Sequence, residues 1–264
     1  MKATINTVEI AYDDHGIGLP VIFLHAFPLN RSMWTDLAAA LLKEQRYRLV
    51  APDWRGFGES TINNTISTME LFADDVAGLM DTLGMQQAIL CGLSMGGYAA
   101  LAFLHKYPQR LAGLILADTR PGADSEEAKA NREHVARLAE TQGNGAIADL
   151  QIPKLISDYT RRNHPEVEAR VRRMIATAMP SGIAAASRGM AQRADLTHIL
   201  PTISFPTLVV VGELDVLTPP KMAREYAAKI PAAQVVVIPH AGHLSNLEQP
   251  EIFLEVVRNF LATF

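Results

Sequence analysis

A serine stands between glycines in Gly92-Leu93-Ser94-Met95-Gly96-Gly97. A serine hydroxyl is a weak nucleophile until a base removes its proton, so the chemistry open to it is attack on an electrophilic carbonyl with a base and an orienting acid in reach. The spacing of the glycines carries information too. A nucleophile on a very tight strand-to-helix turn occupies a strained backbone conformation, and glycines two residues to either side let strand and helix approach closely. The helix that follows aims its free N–H groups at a developing oxyanion. The bland alternative is a chance Gly-x-Ser-x-Gly in a loop. Against it, Ala88–Cys91 directly before the motif reads as a short buried strand, and helical periodicity starts near Met95. Cys91 itself reads as a small buried apolar residue.

Eight histidines compete for the role of base. His243 is the strongest candidate, because Pro239-His240-Ala241-Gly242-His243-Leu244 follows the last apolar strand run and precedes the last helix. That places it on the rim shared with Ser94. His240 lies nearer the strand end and reads as structural. His25 reads as a hydrogen-bonding scaffold residue, and the other five sit in turn, helix or insertion contexts without a matching partner. The orienting acid is assigned to Asp215, in Val211-Gly212-Glu213-Leu214-Asp215-Val216-Leu217-Thr218-Pro219, just past a buried strand. Glu213 competes from closer to the strand, and Asp118 from the end of the preceding one. The order Ser, Asp, His along the chain is one of the known orders for such a triad. His25-Ala26-Phe27-Pro28-Leu29 follows the first buried parallel strand. Its Phe27 N–H and the Met95 N–H after the nucleophile are the predicted oxyanion donors, with a plain proline-containing turn as the alternative.

The elements that must position these residues alternate. Ala3–Thr7 and Val8–Asp14 read as two opening strands closed by His15-Gly16-Ile17-Gly18. Val21–Leu24 is an apolar run of the kind buried on both faces and Ala88–Cys91 a short buried strand, while Arg48–Ala51, Leu114–Ala117, Leu208–Val211 and Val235–Ile238 read as further strands. Between them run helical patterns: Met33–Glu44 with Ser32 as N-cap, Ser67–Leu83 with Gly84 as C-cap, a helix near Lys221–Lys229, and a last one over Pro250–Leu261. The pattern predicts an α/β fold with a mostly parallel eight-stranded sheet flanked by helices. From 121 to 203 there are helical stretches and no convincing strand, punctuated at Pro153, Pro165, Pro180 and Gly182. This block is expected to be a helical cap over one end of the sheet, with residues 1–120 and 204–264 forming the core domain.

Bulk properties narrow the function classes. The 264 residues are 48% hydrophobic and 20% charged, enough for a large core without a disulfide or metal staple. A formal net charge of −4 gives no electrostatic reason to expect nucleic acid or an anionic membrane as partner. One cysteine permits neither an internal disulfide nor a multi-cysteine metal site. The opening residues lack the basic-then-apolar pattern of a secretory signal, and no run approaches the roughly 18 apolar residues of a membrane span. A cytoplasmic location is expected. The serine chemistry needs no cofactor and no metal.

Taken together, these segments resemble the α/β-hydrolase superfamily, over nearly the whole chain. His25-Ala26-Phe27-Pro28 is similar to the family's HGxP-type oxyanion segment, with Ala26 where glycine is usual. Asp53-Trp54-Arg55-Gly56-Phe57-Gly58-Glu59-Ser60 resembles its D-x-R-G-x-G-x-S segment, which is structural. His243-Leu244-Ser245-Asn246-Leu247-Glu248-Gln249-Pro250 is similar to the histidine loop of 3-oxoadipate enol-lactonase-like hydrolases and small carboxylesterases. The resemblance implies the α/β-hydrolase fold and hydrolysis of a small carboxylic ester or lactone. A carbon–carbon bond hydrolase or a perhydrolase would use the same residues, and a ligand-sensing receptor-like member is the alternative of a different class. Haloalkane dehalogenase-like and epoxide hydrolase-like members carry a carboxylate where this chain has Ser94. For substrate contacts, Met174, Met179 and Met190 suggest an adaptable cap lining, with simple helix packing as the competing reading. An enol-lactonase would need a cation for a substrate carboxylate, and the cap offers Arg161, Arg162, Arg170, Arg172, Arg173, Arg188 and Arg193, which otherwise read as a solvated face balanced by Glu166 and Glu168.

Overall fold

A computed structural model describes residues 1–231 and 233–264. Eight strands form one sheet: β1 (Lys2–Ile5), β2 (Val8–Gly16), β3 (Leu19–Leu24), β4 (Tyr47–Pro52), β5 (Ala88–Leu93), β6 (Leu111–Ala117), β7 (Thr207–Gly212) and β8 (Gln234–Ile238), in the order β1-β2-β4-β3-β5-β6-β7-β8. β1 and β2 join antiparallel, and β2 pairs antiparallel with β4; every pairing from β4 through β8 is parallel. β5 and β7 are buried at every position, which is why they read as continuous apolar runs with no alternation. Helices cover both faces of such a sheet. Here α1 (Thr35–Leu42) packs with α10 (Pro250–Leu261), α2 (Met69–Thr82) packs with α3 (Met95–Lys106), and α8 (Pro220–Ala227) lies against β7 and β8.

Three expected boundaries move, each for a local reason. β1 stops at Ile5 because Asn6 and Thr7 both take positive φ, 44° and 70°, and make the turn. β2 runs on to Gly16 because His15 and Gly16 pair with Leu49 and Arg48. Ser32 does not cap a helix. Asn30 is extended at φ −144°, and its side-chain oxygen accepts from Ser32 N at 3.0 Å, capping a 3₁₀ turn over Arg31–Trp34 from which α1 continues. Gly84 does follow the end of α2 at φ +67°.

Between β6 and β7 the chain is helical: α4 (Glu126–Leu155), α5 (Asp158–Asn163), α6 (Pro165–Ala176), α7 (Pro180–Ala191) and a 3₁₀ segment over Thr197–Thr202. α4 packs along α7 and α6. The break in α4 is at Gly143, with φ 74° and ψ −168°, and not at Pro153, which occupies its last turn. α4 is thus two helical stretches set at an angle, and both present residues to one cavity at the carboxyl end of the sheet. A short helix, α9 (Ser245–Glu248), follows the histidine loop and was not legible as a separate element. No helix among the described residues is long and apolar enough to cross a membrane.

Candidate active site

β5 lies between β3 and β6 and delivers Ser94 to the carboxyl edge of the sheet, where α3 begins at the next residue. Ser94 sits at φ 55°, ψ −114°, a conformation that costs a non-glycine residue on the order of 1–3 kcal/mol. Four hydrogen bonds hold it there. Ser94 N donates to Ala117 O at 2.9 Å, and Ser94 O accepts from Gly97 N at 2.9 Å, Tyr98 N at 3.1 Å and Thr119 Oγ1 at 2.9 Å. The glycines are steric necessities. A Cβ on Gly92 would run into the Gly96 carbonyl, and a Cβ on Gly96 would run into the Leu24 carbonyl of β3, with backbone on both sides unable to yield.

His243 Nε2 lies 2.8 Å from Ser94 Oγ, and His243 Nδ1 lies 2.8 Å from Asp215 Oδ2. An ionised carboxylate only accepts, so the network places the proton on Nδ1 and leaves the Nε2 lone pair facing the serine hydroxyl. All three side chains are buried. Asp215 Oδ1 accepts from Leu217 N at 2.8 Å and Thr218 N at 3.0 Å, and its Oδ2 also accepts from Thr218 Oγ1 at 2.6 Å. Burial alone pushes this carboxyl upward, but the charge and hydrogen bond of His243, with Thr218, bring it down to about 2. His243 is shifted the other way: burial lowers it, but the charge and hydrogen bond of Asp215, with the charges of Asp118 and Glu248, lift the imidazole above its ordinary value.

The competing residues are placed elsewhere. Glu213 is exposed and accepts from the His240 amide at 3.0 Å; His240 is exposed and stacks on Tyr159 with ring centres 4.6 Å apart. Asp118 is buried close by but accepts from Gly212 N at 2.8 Å and Ser245 Oγ at 2.5 Å, bracing β7 against α9 instead of holding the imidazole. Burial and the Asp215 charge raise its carboxyl well above the usual carboxylate range. Cys91 is buried in β5 and burial pushes its thiol up, as suits a packing residue. Among the described residues no three His, Cys, Asp or Glu side chains gather in a way that could hold a metal ion.

Phe27 borders the cavity above Ser94, and Met95 opens α3. The amides of Phe27 and Met95 donate to no acceptor among the described residues. The loop carrying Phe27 is held from beneath. His25 Nδ1 donates to Ala26 O at 2.9 Å, its Nε2 accepts from Trp54 N at 3.0 Å, and Trp54 Nε1 returns a bond to His25 O at 2.9 Å. Burial drives His25 down to about 4, so it is neutral and fixed in that tautomer. Asp53 accepts from Arg31 N at 2.8 Å and Glu59 N at 2.9 Å and pairs with the Arg31 guanidinium. Arg55 forks onto Asp75 at 2.8 and 2.7 Å, both buried.

Ser94 and His243 open into a cavity of about 180 Å³. Its apolar wall comes from Phe27, Leu155, Met190 and Leu217. Of the three methionines expected to line it, only Met190 does. Met174 is buried in the packing of the helical segment, and Met179 is 44% exposed at the start of α7. Placement along the helices and their links decides this, and the apolar residue type could not. Of the cap arginines weighed as partners for a substrate carboxylate, four take the solvated-face alternative: Arg161 and Arg172 pair with Glu168, Arg170 with Asp36, and Arg188 with Glu133 and Glu140. Arg193 alone approaches the cavity wall, through Asp124. The cations that do border the cavity are Arg120, Arg132 and Lys154, beside Asp124. Sequence reasoning missed them. Arg120, two residues past the Asp118 strand end, carried a usable signal, because strand-end loops form the rim.

Glu248 was also passed over. Its Oε1 accepts from Gly242 N at 2.9 Å and Leu244 N at 3.2 Å, gripping the backbone on either side of His243. Its Oε2 accepts from Ser157 N at 2.9 Å, Ser157 Oγ at 2.6 Å and Thr160 Oγ1 at 2.8 Å, at the α4–α5 junction. One buried carboxylate therefore ties the helical segment to the histidine loop.

Comparison with known proteins places these features in context. The family model of the alpha/beta hydrolase fold matches residues 20–250. 3-Oxoadipate enol-lactonase 1 of Acinetobacter baylyi is 31% identical over 91% of this chain and 88% of its own length. Among solved structures, a thermophilic esterase from Thermogutta terrifontis, malate bound, is 48% identical with a TM-score of 0.96, covering 100% of this chain and 98% of that one. The enol-lactonase from Burkholderia xenovorans LB400 is 31% identical with a TM-score of 0.92, covering 99% and 100%.

Proposed function

This chain belongs to the alpha/beta hydrolase family, and from that premise we propose that it hydrolyses small carboxylic esters or lactones through an acyl-enzyme on Ser94. The observation that carries the reading is the unbroken chain of two 2.8 Å contacts from Ser94 Oγ through the imidazole to Asp215. In this reading Ser94 Oγ attacks the substrate carbonyl carbon while His243 Nε2 takes its proton. Asp215 keeps the imidazole in the reactive tautomer and stabilises the imidazolium that forms. The carbonyl oxygen becomes an oxyanion held by the Phe27 and Met95 amides, donors worth about 3 kcal/mol each when aimed at the transition state. Collapse of the tetrahedral intermediate breaks the C–O bond, and His243 returns its proton to the departing alcohol. Water, deprotonated by His243, then attacks the acyl carbon and frees Ser94 and the carboxylic acid. The helices over 121–203 act as the cap that closes the cavity.

A lactone follows the same steps with the alcohol tethered to the acyl group. Relatives named as enol-lactonases support keeping this substrate beside simple esters. A panel of aryl esters, alkyl esters, lactones and enol-lactones, run beside Ser94→Ala, tests the proposal. Multiple turnover of at least one class, abolished in the variant, is expected. Single-turnover behaviour across the panel would favour a ligand sensor, and turnover that survives in Ser94→Ala would remove the serine from the chemistry.

A further inference from the structure

The cavity beside Ser94 concentrates positive charge in a chain whose formal net charge is −4. Its charged lining consists of Arg120, Arg132 and Lys154 against a single carboxylate, Asp124. Asp124 is fully committed. Its Oδ1 accepts from Arg120 Nη2 at 2.7 Å, and its Oδ2 accepts from Arg132 Nε at 3.0 Å. Arg193 Nη2 lies 2.8 Å from Oδ1 as an ion-pair contact. Arg193 is the internal member of the group. It is buried, donates to Gly122 O and Met190 O at 3.1 Å each, and stacks on Tyr98 with its guanidinium carbon 4.2 Å from the ring centre. Burial works against ionisation of Asp124, but the close guanidinium of Arg193 and the charge of Arg132 hold it down to about 2, so it stays anionic.

The remaining donors are not used up. Each of Arg120 and Arg132 gives Asp124 one N–H in a fork that carries five. Arg120 Nε is buried without a partner among the described residues. Lys154 has no ion-pair partner among the described residues and stands on the far stretch of α4, across the Gly143 break from Arg132. Three cations facing one carboxylate leave positive charge uncompensated at the cavity: the Arg120 and Arg132 side chains are partly buried there, and Lys154 is exposed at its rim. Guanidinium forks match a planar carboxylate with two parallel N–H bonds. The cluster also has a defined place. Tyr98, under Arg193, is four residues along α3 from Ser94, a rise of roughly 6 Å.

We propose that this side of the cavity is a carboxylate-binding subsite, so that the preferred substrates are small esters carrying a carboxylate a short spacer away from the scissile carbonyl. The inference rests on the Ser94 reading for the reaction and on Arg120, Arg132 and Lys154 for the selectivity. Asp124 is the internal counter-ion that holds two of the three cations in place. Neutral esters of the same shape would leave the cluster unpaired and would bind less well.

The test compares carboxylate probes with their neutral carboxamide counterparts. Mono-p-nitrophenyl glutarate places the carboxylate on the acyl side, and 3-(butyryloxy)propionate places it on the alcohol side. At least one carboxylate probe should exceed its carboxamide in kcat/KM by about tenfold, roughly 1.4 kcal/mol. That ratio should fall toward one in Lys154→Met, a rim position on an exposed side chain, and in Arg132→Gln. A wild-type ratio near or below one for both probes overturns the proposal, and so does a ratio that survives both substitutions. A separate measurement needs no turnover: calorimetric titration of glutarate into Ser94→Ala. Binding that weakens when Lys154→Met or Arg132→Gln is added supports the subsite, and absence of binding overturns it. If neutral esters are hydrolysed while carboxylate probes are disfavoured, the subsite fails and the hydrolase reading stands. If nothing is hydrolysed but glutarate binds through these cations, the hydrolase reading fails and the subsite stands.

Discussion

Replacing Asp215 by asparagine changes one oxygen for an amide nitrogen and little else in volume, which makes it a sharp probe of the imidazole's tautomer. Asp215 Oδ1 accepts from two backbone amides, Leu217 and Thr218, and those donors cannot turn away. In Asp215→Asn the amide oxygen must stay with them, so the NH₂ group faces His243 Nδ1 and Thr218 Oγ1, where Oδ2 now accepts at 2.8 and 2.6 Å. His243 Nδ1 then has to accept, the ring proton moves to Nε2, and the lone pair that faced Ser94 Oγ is gone. A wrong tautomer in an otherwise intact triad lowers kcat by about 10⁴, equivalent to roughly 5.4 kcal/mol of transition-state stabilisation. Release of p-nitrophenol from p-nitrophenyl acetate reads the loss, and circular dichroism with a thermal melt shows that the fold is retained. A folded variant that loses less than about tenfold would refute the reasoning, because the serine would then be deprotonated without the tautomer that Asp215 imposes.

Two further outcomes follow from the same structure. Asp215 holds the His243 pKa above its ordinary value of 6.5, and only the neutral imidazole accepts the Ser94 proton. The kcat/KM profile should therefore fall as pH drops through a value above 6.5; a profile still flat down to pH 5.5 would contradict the coupling. Arg55→Met leaves the Asp75 carboxylate buried with Asn6 Nδ2, at 3.1 Å, as its remaining side-chain donor among the described residues. Breaking such a buried pair costs about 3–5 kcal/mol, read as a lowered urea midpoint at unchanged m-value, and a shift under 1 kcal/mol would show that water reaches the site.

The parts of the site that were legible in the sequence are those where local backbone geometry dictates residue type. Gly92 and Gly96 are glycines because strand, turn and helix meet at backbone-to-backbone distance, so the motif and its strand–turn–helix setting could be read together. Ser94, Asp215 and His243 follow β5, β7 and the edge strand β8, which run parallel, so all three fall on one rim. The cavity lining was not legible, because it depends on how one helical segment lies over another. Arg132 and Lys154 are 22 positions apart on α4 and meet one cavity only through the break at Gly143. In the arginine-rich stretch weighed instead, Arg161, Arg170, Arg172 and Arg188 spend their charges on carboxylates away from the cavity. Met174 and Met179 failed as lining residues although their type fits a lining: Met174 is buried in helix packing, and Met179 lies in the extended link before α7, 44% exposed. Glu248 was hidden because all five of its donors come from the histidine loop and from the α4–α5 junction some ninety residues earlier.

A covalent trap tests the serine chemistry most directly. Incubation with a diisopropyl phosphoryl donor, followed by intact mass and peptide mapping, should show one phosphoryl adduct, located on Ser94, with activity lost in proportion to labelling. Ser94→Ala should take up none. Labelling at another residue, or full activity in a protein whose Ser94 is modified, would contradict the account.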